Sequence, residues 1–290
     1  MRIDARTRIA GVIGWPVEHS LSPLMQNAAI EALGLNWVYL AMAVEPGRLA
    51  EAIAGARALE FVGLNVTIPH KEAAAALVDE LAPEAEAIGA INTIHFDAGR
   101  AVGHNTDAEG FTRTLTEEAG LDTAGLTMLQ LGAGGAGRAM VAGAAGAGAG
   151  RVIIYDIRTD AAEALARHMG AHYPQCRFES IVSEGELNAA AAAAGLIANA
   201  TPLGMKPGDP LPLAEGLLEP RHVVFDAVYN PYPTALLEAA AGRGARTVSG
   251  LGMLGRQGWR SLAIWCGREP DQELMLGVLR RELGIEAGGD

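Results

Sequence analysis

Three groups of residues in this sequence have types and spacings suited to chemistry. The first is a cation. In NVTIPHK (65–71), Lys71 follows a strand-like run and Pro69 and opens an alanine-rich stretch. A lysine there is either a solvated surface residue or a proton donor to a reacting oxygen. The second group is polar and neutral. Ser20 and Ser22 flank Leu21 at the mouth of the first expected helix, where two hydroxyls beside free helix amides suit a carboxylate. The bland alternative makes Ser22 a helix N-cap and Ser20 a turn residue. Asn65, Thr67, Asn92, Asn105 and Thr106 fall at strand ends, where an α/β sheet presents ligands. They suit a polyhydroxylated ligand, although each alone serves equally well to tie up loop backbone. Asp107 follows directly and is either a functional carboxylate or the N-cap of the next helix.

The third group is LGAGGAGRA, which sets Gly132, Gly134 and Gly137 in GxGxxG register, with Ala133, Gly135 and Ala136 between them. The first glycine permits a tight turn, the second lets backbone amides approach a pyrophosphate, and the third lets helix and strand pack closely. Asp156 lies 19 residues after Gly137 (156 − 137), at the end of the next strand-like run. That is the place for a carboxylate that binds the adenosine ribose; the alternative is a glycine-rich turn in an ordinary βαβ unit with Asp156 as a cap.

These residues need elements to position them. Strand-like segments at 9–14, 37–44, 61–67 and 90–96 alternate with helix-like ones, and DAGR (97–100) reads as a hairpin turn. Ser22 as N-cap, Pro23 at the first helical position and Gly34 as a stop frame the first helix. A long helix follows Asp107, and further strands fall at 127–131, 151–156, 195–200 and 222–228. The last 40 residues or so read as helical. The alternation predicts α/β domains with mainly parallel sheets. The runs GAAGAGAG (143–150) and NAAAAAAGL (188–196) read as packed helix and turn.

Composition bounds the function. The 290 residues suffice for two domains. The net charge of −12 argues against a polyanionic partner such as nucleic acid. No apolar run approaches the ~20 residues that span a bilayer, so no membrane partner is expected. The N-terminal stretch reads as a first strand, not a signal peptide. Cys176 and Cys266 lie far apart without metal-ligand spacing, which suits free thiols in a reducing cytoplasm; no metal is expected.

Taken in order, GWPVEHSLSP, NVTIPHK, GAINTI, GHNTDAEGF, LGAGGAGRA, NATPLGM and GLGMLGRQGW closely resemble the shikimate dehydrogenase family, which includes quinate/shikimate dehydrogenases. The likeness runs from about residue 9 to 283. It implies an N-terminal α/β substrate domain (1–107, completed by helices at 250–290), a Rossmann domain (108–249), and an active site in the cleft between them. It also implies NAD(P)-dependent oxidation of shikimate to 3-dehydroshikimate, within aromatic amino acid biosynthesis, by a cytoplasmic monomer or homodimer. By residue, the resemblance makes Lys71 the catalytic lysine and Asp107 its partner. Ser20 and Ser22 hold the substrate carboxylate, Asn92 a ring hydroxyl, and Thr67 and Gln257 share that pocket. Tyr229 lies near substrate and nicotinamide, and Met253 packs near the nicotinamide.

Two departures from the family pattern matter. Gln26-Asn27 stands where many relatives have His-Asn. Where NADP-using relatives carry Asn-Arg-Thr/Ser, with a further basic residue beyond, this chain has Asp156, Ile157 and Arg158, then Ala161. A carboxylate there repels a 2′-phosphate and Arg158 offsets it, so the expectation is NAD preference with NADP possible. Quinate or aminoshikimate dehydrogenase is the alternative activity. A non-catalytic dinucleotide sensor is a remote one, with no reason to keep both Lys71 and Asp107.

Overall fold

A computed structural model describes residues 3–285. The chain divides into two compact units. One runs to Asp107 and resumes at Leu254; the other is Ala108–Met253.

In the first unit, β1 (Arg8–Gly14), α1 (Ser22–Ala32), β2 (Trp37–Ala43), α2 (Leu49–Ala58) and β3 (Gly63–Val66) form the leading strand–helix alternation. Then come α3 (Lys71–Ala75), β4 (Glu80–Leu81), α4 (Pro83–Ile88), β5 (Thr93–Asp97) and β6 (Arg100–His104). The sheet order is β2-β1-β3-β5-β6-β4. β1 runs parallel to β2 and β3, whereas β5 is antiparallel to β3 and β6. This sheet is therefore mixed. For β5 and β6 the cause is local: DAGR makes a two-residue hairpin, with Ala98 and Gly99 both at positive φ, which reverses the chain at once. Its core gathers Ile13, Ile53, Leu64, Val66, Ile91 and Ile94 under α2 and α3.

α1 begins differently from the sequence expectation. Its N-cap is Leu21, with no side-chain cap, and Ser22 is its first helical residue. Ser22 is thus not the cap; its amide instead donates to Ser20 Oγ at 3.3 Å. Pro23 fits the first turn as expected, and Gly34 ends the segment at φ +65°.

α5 (Asp107–Ala119) leads into the second unit, where β7 (Thr127–Leu131), α6 (Gly135–Gly146), β8 (Arg151–Tyr155), α7 (Thr159–His172) and β9 (Arg177–Ile181) follow. α8 (Glu184–Ala193), β10 (Leu196–Asn199), β11 (Val223–Asp226), α9 (Ala235–Gly242) and β12 (Arg246–Ser249) complete it. The strands are all parallel, in the order β12-β11-β10-β7-β8-β9. This is the doubly wound dinucleotide-binding order, with its switch point between β7 and β10. Leu129, Leu131, Ile153, Ile197 and Val224 form the buried centre of one face. α10 (Gly250–Cys266) and α11 (Gln272–Glu282) close the described chain. Among the described residues, no helix is long and apolar enough to cross a membrane.

Candidate functional site

Topology brings the first unit's polar residues to one edge of its sheet. β1 and β3 are parallel, so the segments leaving them, with Ser20, Ser22, Thr67 and Lys71, emerge on the same side. β5 is antiparallel to β3, which puts its entrance at that edge: Asn65 pairs with Thr93. β6 reverses again, pairing Thr93 with His104, so Asn105, Thr106 and Asp107 leave at the same edge.

The centre is an ion pair. Lys71 Nζ lies 2.5 Å from Asp107 Oδ2, and their side chains are only 12% and 5% exposed. Withdrawal from water strengthens the attraction within this pair and costs desolvation in return, so each charge depends on the other to stay buried. The carboxylate sits in the first turn of α5, where the helix dipole favours it. Its other oxygen accepts from Asn92 Nδ2 at 2.9 Å, and its backbone amide donates to Asn105 Oδ1 at 3.1 Å. The first residue of α3, Lys71, is fixed from behind, because its carbonyl accepts from Ile91 N at 2.9 Å.

Asn92 connects this pair to α10. Its Nδ2 also lies 2.8 Å from Thr106 Oγ1 and 3.2 Å from Gln257 Oε1, so its two hydrogens are shared among three acceptors, while its Oδ1 accepts from Thr106 N (2.8 Å). Lys71, Asp107, Asn92 and Gln257 therefore form one network within a single unit. Thr67 and Ser20 stand half-buried at the same edge; Ser22 is buried, and its hydroxyl bonds Tyr39. Burial pushes the Tyr39 phenol well above its usual value, with the Ser22 bond opposing, so this tyrosine stays neutral and structural.

Two of the neutral candidates prove to be struts. Asn65 Nδ2 shares its two hydrogens among Asn92 O, Thr93 Oγ1 and Ser261 Oγ, and its Oδ1 accepts from Tyr39. Asn105 spends its amide on Ala90 O and the Asp107 amide. Sequence reasoning missed Thr93, Ser261 and Tyr39. Ser261 carries the one readable signal, lying one helical turn after Gln257 on α10.

The second unit holds the glycine turn. Gly132 has φ +93°, and a Cβ there would come within 3.0 Å of the backbone at Ala200 and Thr201. A Cβ on Gly137 would lie 2.1 Å from Gly132 O, so only glycine lets α6 start this close to β7. At Gly134 a Cβ would meet nothing within 4 Å, which leaves the room that a ligand's phosphates need above the amides of Gly134, Gly135 and Ala136. Asp156 follows β8 with its side chain 10% exposed; Oδ2 accepts from Ala133 N and Oδ1 from Arg158 N, each at 2.8 Å. It thus ties the turn itself, with lone pairs left for ribose hydroxyls. Arg158 is largely exposed, its Nε 3.7 Å from Asp156 Oδ1, and Ile157 is 89% exposed. These features fit a dinucleotide. Tyr229 is half-buried after β11, and Met253 is buried in the first turns of α10. Among the described residues, no three His, Cys, Asp or Glu side chains are placed to hold a metal.

Comparison with known proteins agrees with this architecture. Residues 12–94 match the shikimate dehydrogenase substrate binding domain. A shikimate dehydrogenase (NADP(+)) of Methanopyrus kandleri is 47% identical, with 94% of this chain and 95% of that protein covered. One from Geobacter metallireducens is 44% identical over 98% of each chain. Among solved structures, a shikimate dehydrogenase in complex with NADP+ has a TM-score of 0.88 at 38% identity, covering 97% of this chain and 98% of that one. Shikimate 5-dehydrogenase from Listeria monocytogenes, in complex with shikimate and NAD, has a TM-score of 0.86 at 36% identity, covering 96% and 98%. The chain belongs to the shikimate dehydrogenase family and is a nicotinamide-dinucleotide-dependent alcohol dehydrogenase of the shikimate/quinate type.

Proposed function

We propose that this enzyme interconverts shikimate and 3-dehydroshikimate, with Lys71 and Asp107 handling the proton. The observation that carries this reading is the buried Lys71–Asp107 pair joined through Asn92 to Gln257. A secondary alcohol being oxidised loses a proton from oxygen and a hydride from carbon. A nicotinamide dinucleotide held at the glycine turn would supply the acceptor or donor for that hydride. In the reductive direction the Lys71 ammonium stabilises negative charge growing on the carbonyl oxygen and then supplies the proton. Asp107 fixes the ammonium by a charge-assisted hydrogen bond, so little reorganisation accompanies the step. Asn92 and Gln257 offer amide groups to ring hydroxyls, Thr67 a hydroxyl, and Ser20 and Ser22 hold the substrate carboxylate. Tyr229 and Met253 serve the nicotinamide side.

NAD is the preferred cofactor on this reading. Asp156 accepts hydrogen bonds from ribose hydroxyls and repels a 2′-phosphate, and Ile157 offers that phosphate nothing. The second reading, NADP, is favoured by the names of the relatives and by Arg158, which lies close enough to Asp156 to weaken its field. A difference of ~2.7 kcal/mol would give about a 100-fold preference.

One assay tests both parts. Purified protein is mixed with NAD or NADP and with shikimate or quinate, at one ionic strength, and reduced nicotinamide is followed by absorbance. Shikimate turnover with the higher catalytic efficiency for NAD is expected. Turnover of quinate alone would replace the substrate, and a ratio favouring NADP would withdraw the cofactor assignment.

A further inference from the structure

At the base of the dinucleotide turn lies a side chain that the fold does not call for. Gln130, in β7, is fully buried between Leu129 and Leu131, themselves buried. An aliphatic residue would fill this place without a polar group to satisfy. The Gln130 amide instead donates from Nε2 to Leu131 O (2.9 Å) and Gly132 O (3.0 Å), and its Oε1 is buried without a partner. The orientation follows from the chemistry, since turning the amide would aim its oxygen at two carbonyl oxygens. A buried acceptor left unmatched lowers stability, so the amide needs a compensating use.

That use is visible in the peptide joining Gly132 and Ala133. The Gly132 carbonyl and the Ala133 N–H lie on one rigid plane. Gln130 holds the oxygen end, and Asp156 Oδ2 accepts from the nitrogen end at 2.8 Å. Gly132, at φ +93° with no side chain, would otherwise allow this plane to swing. The amide below therefore fixes the donor that fixes the carboxylate above.

We propose that Gln130 is a positioning residue for cofactor recognition: by clamping the 132–133 peptide it holds Asp156 in place and sharpens the distinction between a ribose hydroxyl and a ribose phosphate. This rests on the reading of Asp156 given above. With the clamp gone, Asp156 is free to turn away, which loses hydrogen bonds to NAD and relieves repulsion of NADP.

The test is calorimetric binding of NAD and of NADP, without acid substrate, to the wild type, Gln130→Leu and Asp156→Asn. Gln130→Met takes the place of the leucine variant if that one does not fold. Gln130→Leu is expected to weaken NAD about five- to tenfold, the scale of one lost hydrogen bond, and NADP less than twofold. Its thermal midpoint should stay near wild type, because one unpaired acceptor, Oε1, is exchanged for another, Gly132 O. Equal losses for both cofactors, or no loss, overturn the proposal. If Asp156→Asn narrows the preference and Gln130→Leu does not, the proposal fails and the cofactor reading stands. If neither narrows it, both fail. If only Gln130→Leu does, the route through Asp156 is wrong.

Discussion

A lysine 2.5 Å from a carboxylate, with both side chains nearly out of solvent, is a different chemical object from a lysine on a surface. The sequence left Lys71 open between these, because nothing near it in the chain names its partner. Asp107 is 36 residues away and reaches it only because β5 and β6 double back. Lys71→Ala is expected to lower turnover by ~10²–10⁴-fold, the worth of a general acid/base, while calorimetry finds dinucleotide affinity unchanged. Near-native turnover would return the lysine to a structural role. Asp107→Asn should be comparably damaging, since a neutral amide cannot match the charge. The two serines should separate. Ser20→Ala should raise the Michaelis constant for the acid with little change in thermal midpoint. Ser22→Ala should raise it and also cost ~1 kcal/mol of stability, because its buried hydroxyl bonds Tyr39. Equal midpoints for the two variants would contradict that asymmetry.

At the scale of elements, legibility followed periodicity and punctuation. β8 and β11 were readable because parallel strands buried on both faces are near-continuous apolar runs, and β7, despite Gln130, because the glycine turn follows it. β9 (RFESI) and β12 (RTVS) were not, because they are the half-exposed outer strands of their sheet and carry polar residues. The N-cap of α1 was misread because two serines compete at the same turn, and sequence does not say which amide meets which hydroxyl. The Gln26 substitution has a place as well: its Nε2 donates to Gly258 O at 2.9 Å, pinning α1 to α10 beside Gln257. The glycine turn was legible because strand, turn and helix all agreed with it. It yields a sharp prediction. Gly137→Ala forces a methyl to within 2.1 Å of the Gly132 carbonyl, a backbone atom that cannot step aside without moving the turn. Dinucleotide affinity should fall by at least tenfold in calorimetry, with the acid substrate's affinity little changed. Native dinucleotide affinity would mean the turn relaxes freely and does not hold the phosphates as argued.

At the scale of the whole molecule, 34 acidic residues stand against 22 basic ones, and one buried carboxylate, Asp226, runs against those held low by hydrogen bonds and cations. Exposed ones such as Glu219, hydrogen-bonded and paired to Arg221, are held below their usual range. Asp226 is fully buried at the end of β11, and burial raises its carboxyl above the ordinary 3.8, against hydrogen bonds from Thr234, Asn199 and the Val228 amide. Because its folded value is raised, the native state binds this proton more tightly than the unfolded chain does. Its favourable contribution is complete below 3.8 and is lost as pH rises through the raised folded value. Carboxylates held low do the opposite, so wild-type stability alone would hide the effect. Asp226→Asn removes the titration; its Oδ1 still accepts from Asn199 and Val228, and its amide faces the Thr234 hydroxyl, which has a lone pair to receive it. The difference in thermal midpoint, variant minus wild type, should therefore grow from the acid side toward neutrality and then level off. A difference that is flat with pH, or that shrinks as pH rises, would mean the three hydrogen bonds outweigh burial and Asp226 is as comfortable charged as any surface aspartate.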